Sequence, residues 1–412
     1  MAKILMVGKG GFGDMFPLFA LAAELQARGH AVSIAAEAHH APACATIGVA
    51  LLPLDRAAER PATRWALLDT LSPVRLEAEV DTLLPHGAEA DLIVGNQLAY
   101  CGAIVRKLTS KPWVLCAASP LTIPSVSDPP LWPYLRHLQT FSRSLGFRQA
   151  AYLGLARAAT RALMQPQLRL QERLGIEHDA HPRFEGMYSE QLNLLATSPA
   201  LVAQHADRPA GTLVTGFSWF EPAFLGDAGQ FEELARFASA GPAPLVFAPG
   251  GSKRTHPGIF FERSVDACRK SGQRAIIVAA KKFHGLFKPD PDILVTGYFP
   301  YSRLFGLASA VVHSGGIGTL GWALRLGLPS LLVPSDWDQY DNADRAERRG
   351  LAKVLPIERY TPTRIAGALD ALLTDEGLRT RLSQMAPLVA AENGQVVASD
   401  AIEALLRGRC SP

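Results

Sequence analysis

His313-Ser314-Gly315-Gly316-Ile317-Gly318-Thr319 follows an apolar, β-branched run at 308–312 and leads into 320–326, where apolar residues recur at helical spacing. The glycines therefore sit in a strand-to-helix turn. Such a turn gathers unpaired N–H groups at the positive end of a helix dipole, and glycines let a phosphate approach the backbone. His313 adds a side-chain donor, cationic if protonated. Alone, a glycine-rich turn also fits plain tight packing. The next stretch of chain favours a ligand. A second apolar run ends at Pro334, and Asp338-Gln339 comes just after it, at the carboxyl end where open parallel sheets bind ligands. An Asp–Gln pair offers acceptors and donors to vicinal sugar hydroxyls. The segment reads as a diphosphate site beside a sugar site.

At 412 residues the chain exceeds one comfortable core, which predicts two domains. Strand-like runs at 4–7, 32–35, 92–94, 113–116 and 192–196, and again at 244–248, 275–278, 293–295, 310–312 and 330–333, alternate with helical patterns. That alternation predicts an α/β fold of parallel sheets covered by helices. The second series restarts after a stretch of Gly, Pro, Ala and charged residues. The expected division is a first domain at 1–218, a linker at 219–241 and a second domain at 242–391. A cleft between such halves is the expected place for a small-molecule site.

The motifs resemble those of the family 1 nucleotide-sugar glycosyltransferases of the two-domain GT-B fold, in which two Rossmann-like domains face each other across a cleft. That family's donor signature is His-x-Gly-Gly-x-Gly-Thr, Gly-x-Pro and Asp-Gln-x-x-Asn-Ala, matched here by 313–319, Gly327-Leu328-Pro329 and 338–343. Gly13-Asp14-Met15-Phe16-Pro17 matches a bacterial branch with Gly-Asp-x-x-Pro, which includes the rhamnosyltransferase of rhamnolipid biosynthesis and antibiotic and sterol glycosyltransferases. Patches at 245–252 and 214–217 extend the likeness over nearly the whole chain. The resemblance implies that a last helix, about 392–412, packs back on the first domain.

The amino terminus offers a competing signal. Gly8-Lys9-Gly10-Gly11-Phe12-Gly13 follows a strand and fits the GxGxxG dinucleotide fingerprint, with Glu37 roughly where a ribose-binding carboxylate belongs. This is the pattern of an NAD-dependent oxidoreductase. However, Asp14 puts a carboxylate near where a pyrophosphate would sit, which favours another use of the loop.

Composition narrows the setting. Five scattered cysteines, Cys44, Cys101, Cys116, Cys268 and Cys410, show no metal-ligand spacing, and their odd number argues against a disulfide framework. A formal net charge of +3 does not by itself predict a nucleic-acid partner. Met1-Ala2-Lys3 runs straight into a strand, and no stretch is long and apolar enough to span a bilayer, so the expected compartment is the cytoplasm. One segment is lopsided: 131–171 holds Arg136, Arg143, Arg148, Arg157, Arg161 and Arg169 with no Asp or Glu, interleaved with aromatics. It reads as a helical pair with a solvated basic face, or as a surface for an anionic membrane or a lipid acceptor.

Transfer of a sugar from a nucleoside diphosphate needs a base for the acceptor proton, donors for the departing diphosphate, and contacts that orient the anomeric carbon. The resemblance implies Asp14 as the base, in the position where related enzymes carry a catalytic His; helix capping is the competing role. His313, Gly315, Gly316, Gly318, Thr319 and Ser252 are the expected diphosphate cradle, with Asp338, Gln339 and Trp337 on the donor sugar. Tyr298 and Phe299 are candidates for stacking on the nucleobase, and Ser119, Trp132 and Phe16 for the acceptor side. Acceptor pockets are expected in loops at 52–80 and 119–147. No cofactor and no metal are expected, because backbone amides and a helix terminus supply the charge stabilisation and no DxD-type cluster stands at a suitable turn. The resemblance implies inversion, and the expectation is therefore an inverting transfer of glucose or rhamnose from a UDP- or dTDP-sugar to a hydrophobic hydroxyl acceptor. A nucleotide-sugar 2-epimerase of the same fold and a non-catalytic nucleotide-sugar sensor are the alternatives.

Overall fold

The computed structural model describes residues 1–54, 73–132, 149–221, 225–250 and 257–408. It falls into two compact units, Met1–Phe220 with Asn393–Pro412, and Glu221–Glu392.

The first unit is built on seven strands: β1 (Lys3–Val7), β2 (Ala31–Ala36), β3 (Ala50–Pro53), β4 (Leu92–Asn96), β5 (Trp113–Ala117), β6 (Leu192–Leu195) and β7 (Thr212–Val214). They lie in the order β3-β2-β1-β4-β5-β6-β7, with every pairing parallel. Helices on both faces explain why β4 and β5 are buried along their whole length rather than alternating. Tight packing also fixes a glycine: a Cβ on Gly95 would meet the Trp113 ring at 2.0 Å, and that indole donates to the Met187 carbonyl at 2.7 Å.

The helix Gly394–Leu406 belongs to this first unit and lies against the helix Phe12–Ala27. Gly394 donates to the Phe217 carbonyl at 2.9 Å, where a Cβ would run into the backbone. Arg28 holds the far end through Asp400 at 2.6 Å and Glu403 at 3.4 Å.

The second unit carries β8 (Leu245–Ala248), β9 (Ala275–Val278), β10 (Ile293–Thr296), β11 (Ala310–His313), β12 (Ser330–Leu332) and β13 (Lys353–Val354), in the order β10-β9-β8-β11-β12-β13 and again all parallel. Both sheets reverse their winding once, between β1 and β4 and between β8 and β11. In doubly wound sheets that is where a crevice opens beyond the strand ends.

The segment expected to be a linker, 219–241, is instead largely a helix, Ala228–Ser239, which contributes Leu234 to the core of the second unit. Asp227 caps it by accepting from the Gln230 N–H at 2.8 Å. The Gly, Pro and Ala content that reads as a linker brackets this helix. Likewise, part of the expected acceptor loop 52–80 is the start of the helix Pro73–Glu89, and 55–72 lies outside the described residues.

Candidate functional site

Two side-chain groups stand at the two switch points, one in each unit. In the second unit, β11 ends on His313 and the chain turns through Gly315, at φ 86°, into the helix Ile317–Arg325. The helix leaves its first-turn N–H groups without intrahelical acceptors. No Cβ clash would arise at Gly316 or Gly318, whereas a Cβ on Gly315 would come within 3.1 Å of the Gln339 carbonyl. Gly315 is thus set by backbone conformation and packing, while Gly316 and Gly318 leave open space before the helix terminus.

His313 is fully buried and burial pushes its pKa down to about 3, so it is neutral rather than cationic. Its Nδ1 accepts from the Gly315 N–H at 3.1 Å. A neutral ring that accepts at Nδ1 carries its proton on Nε2, and Nε2 has no partner among the described residues. A buried donor without an acceptor costs about 1–3 kcal/mol, a cost that an anionic oxygen beside Nε2 would remove. Ser314 lines the same switch point, 3.3 Å from where a Cβ on Gly250 would stand. Thr319 stands near the buried Tyr301 phenol. Ser252 lies outside the described residues.

The Asp338-Gln339 pair opens the helix Gln339–Arg348. The Gln339 side-chain oxygen Oε1 accepts from the Ser335 N–H at 3.0 Å, the Ser335 hydroxyl at 3.1 Å and the Asp336 N–H at 3.0 Å. This fixes the amide with its NH₂ turned away from that loop. Buried Asn342 donates to the Gly315 carbonyl at 3.0 Å and to Asp338 Oδ2 at 2.9 Å. One side chain therefore ties the glycine turn to the acidic residue beside it. Trp337 adopts φ 38°, a left-handed conformation that costs a tryptophan roughly 1–3 kcal/mol and is held by the surrounding loop.

The two nucleobase candidates part company. Tyr298 is half-buried beside Tyr301, with ring centroids 5.2 Å apart. Phe299 is not placed to stack on a base: it is 1% exposed and stacked on Phe231 in the core, because the side chains of adjacent residues point to opposite faces of an extended segment.

In the first unit, β1 leads through residues 8–11 into the helix Phe12–Ala27. Asp14 is the third residue of that helix, and Oδ2 accepts from the Gly11 N–H at 3.1 Å. Gln97, just past β4, donates to Oδ1 at 2.9 Å. Its neighbour Asn96 anchors the loop backbone, donating to the Lys9 carbonyl at 2.8 Å and accepting from the Lys9 N–H at 3.3 Å. The Lys9 ammonium turns inward to a fully buried ion pair with Glu79, which also accepts from Arg75 at 2.9 Å. The dinucleotide reading therefore fails on chemistry. The loop's amide already holds a carboxylate and its lysine charge is neutralised inside the unit. Glu37 lies 3.6 Å from Arg75, and burial raises its pKa.

The acceptor-side candidates do not converge. Ser119 is buried and accepts from the Leu121 N–H at 3.4 Å, as a turn residue. Trp132 is buried in a separate cluster with Leu121, Tyr152, Ala156 and Phe184, beneath Arg183. Phe16 is half-buried between Phe12 and Phe220. Of the basic stretch, Arg136, Arg143 and Arg148 lie outside the described residues; Arg157 pairs with Glu185 at 2.6 Å and Arg161 donates to the Ala180 carbonyl. Acidic and carbonyl partners from outside the stretch thus meet two of its charges. Four of the cysteines are buried free thiols, and Cys410 lies outside the described residues. Among the described residues no three His, Cys, Asp or Glu gather as a metal site, and no helix is long and apolar enough to cross a membrane.

Residues 271–404 match the model of the erythromycin biosynthesis protein CIII-like C-terminal domain, which spans the whole His313 and Asp338 region. Over 95% of this chain and 94% of its own length, O-mycaminosyltylonolide 6-deoxyallosyltransferase of Streptomyces fradiae is 27% identical. These likenesses support a family 1 glycosyltransferase. Vancomycin aglycone glucosyltransferase of Amycolatopsis orientalis is also 27% identical, over 98% of both chains. Among solved structures, the spinosyn rhamnosyltransferase SpnG complexed with thymidine diphosphate superposes with a TM-score of 0.69 at 18% identity, covering 98% of this chain and 99% of that one. The fold of this glycosyltransferase is GT-B.

The sequence reading missed Gln97 and Asn96, and gave Asn342 no role. A signal was available for the first two: a polar Asn-Gln pair ends an apolar strand beside β1, at the switch point. For Asn342 the cues were its place in the Asp-Gln-x-x-Asn-Ala motif and its four-residue spacing from Asp338, one helical turn.

Proposed function

We propose that this protein is an inverting glycosyltransferase that moves a hexose or deoxyhexose from a UDP- or dTDP-sugar to a hydroxyl of a hydrophobic small molecule, with Asp14 as general base and no metal ion required. The observation that carries the reading is the buried, neutral His313, which ends β11 beside a glycine turn and a helix N-terminus and whose Nε2–H is unsatisfied. That constellation matches a departing diphosphate, whose negative charge grows as the glycosidic bond breaks. Asp338 and the Gln339 amide, coupled to the turn through Asn342, are suited to hold sugar hydroxyls close to the same turn.

Asp14 takes the acceptor proton in this reading while the acceptor oxygen attacks the anomeric carbon and the diphosphate leaves from the opposite side, which inverts the configuration. One base and no covalent intermediate suffice. The relatives support the donor class: their names specify glucosyl and deoxyhexosyl transfer, and one structural neighbour holds thymidine diphosphate. Glucose and rhamnose remain equally supported as the sugar.

The test is mass spectrometry of purified protein in EDTA with a panel of UDP- and dTDP-sugars and pooled hydrophobic acceptors. Acceptor mass raised by one hexose or deoxyhexose, and lost in Asp14→Asn and His313→Ala, supports the reading. A change of the sugar within the donor, without acceptor product, would point to the 2-epimerase. Diphosphate binding without turnover of any donor would point to a sensor.

A further inference from the structure

We infer that Gln97 is the positioning residue for Asp14, an inference that rests on the proposed role of Asp14 as base. Its amide is held at both ends. Oε1 accepts from the Ala118 N–H at 3.4 Å, just past β5, while Nε2 donates to Asp14 Oδ1 at 2.9 Å. The flipped amide would set N–H against N–H at Ala118 and oxygen against oxygen at Asp14, so the donor sense toward the carboxylate is fixed by the second contact. Asn96 reinforces the arrangement one residue earlier by gripping the Lys9 backbone, and its NH₂ lies 3.4 Å from the Asp14 carbonyl.

The ends of β1, β4 and β5 thus converge on one carboxylate. The Gly11 N–H defines Oδ2 and Gln97 defines Oδ1. The helix cap alone leaves the carboxyl plane able to pivot about its Cβ–Cγ bond; a second donor on the other oxygen locks that rotation. A donor also favours the ionised form over the protonated one, which is the form a base needs. The titratable and charged groups around this loop are the Lys9–Glu79 pair beneath it, Arg75 and Glu37 beside that pair, and His40, which contacts the Gly10 carbonyl at 3.0 Å. Gln97 itself is uncharged, so its replacement by alanine alters orientation without changing the net charge of that set.

The experiment is steady-state kinetics of the full chain across pH 5–9, with Gln97→Ala, Gln97→Glu and Asp14→Asn, and with nucleoside diphosphate binding and thermal unfolding as parallel readouts. Loss of a geometric constraint on a reacting group is expected to lower kcat on the order of 10- to 100-fold, while KM for the donor and diphosphate affinity change less than about threefold. Gln97→Glu, nearly isosteric, sets a second carboxylate against the first; the pair then holds a shared proton, and the acid limb of kcat/KM moves to higher pH. Because Gln97 acts through Asp14, adding Gln97→Ala to Asp14→Asn is expected to cost no further activity.

An unshifted pH profile in Gln97→Glu, or losses that multiply in the double variant, would overturn the inference while leaving the transferase reading intact. Absence of transfer by the wild-type chain with every donor would remove that reading instead. Should Gln97→Ala fail to fold, the Gln97→Glu pH profile decides alone.

Discussion

A histidine at the centre of a phosphate site is commonly credited with positive charge, and the structure assigns His313 the opposite state. An imidazole at its ordinary pKa near 6.5 is about nine-tenths protonated at pH 5.5. With burial holding His313 at about 3, the neutral form there outweighs the charged one by roughly 300 to 1. Long-range ¹H–¹⁵N correlation spectra of histidine-labelled protein are expected to show one ring in the Nε2–H tautomer throughout pH 5–8, absent in His313→Gln. The same shift enters stability with a definite sign. The unfolded chain gains a proton below about pH 6.5 that the folded chain refuses until about pH 3, so stability present above 6.5 is lost as pH falls through that window. Between pH 6 and pH 4 this amounts to about 2–3 kcal/mol at roughly 1.4 kcal/mol per unit. Urea unfolding at both pH values is expected to show that extra loss in wild type relative to His313→Gln. A ring that titrates between pH 5 and 7, or identical pH dependence in the two proteins, would refute the reasoning.

Asp14→Asn is expected to cut transfer by about 10²- to 10⁴-fold with nucleoside diphosphate affinity retained, since an amide oxygen still caps the Gly11 N–H; comparative kinetics and calorimetry check both halves. Asn342→Ala severs the link between Gly315 and Asp338 and is expected to cost about 1–3 kcal/mol in urea unfolding, together with a raised donor KM. The two glycines of the turn separate packing from binding. Gly315→Ala, at φ 86° and against the Gln339 carbonyl, is expected to destabilise by about 1–3 kcal/mol, whereas Gly316→Ala leaves the melting temperature within a degree or two while weakening diphosphate binding in titration calorimetry.

Much of this fold was legible because parallel strands covered on both faces advertise themselves as short apolar runs, as at Leu92–Asn96 and Ala310–His313. The peripheral strands Ala50–Pro53 and Lys353–Val354 carry no such signal, being half-exposed at sheet edges. The helix Ala228–Ser239 was hidden by the Gly, Pro and Ala around it. Within the candidate site, residue types that bind through a motif could be found from spacing, but protonation and pairing could not. Nothing in the chain near His313 predicts that it is neutral, because its burial is made by strands distant in sequence. Gln97 meets Asp14 only through the adjacency of β1 and β4, a non-local pairing. Phe299 and Tyr298 were indistinguishable as aromatics until the backbone fixed which one faces the core.

The loop at residues 8–11 and its Asp14 cap bear on how glycine loops acquire their chemistry. Backbone and helix here form the same electropositive pocket that elsewhere receives a cofactor, yet the chain supplies its own tethered anion one turn into the helix. A tethered group acts at an effective concentration that a dilute phosphate does not match, so the loop is self-occupied before any ligand arrives. The glycines then specify a shape and leave its purpose open. The third helical residue decides whether that shape collects an anion from solution or displays one to a reactant.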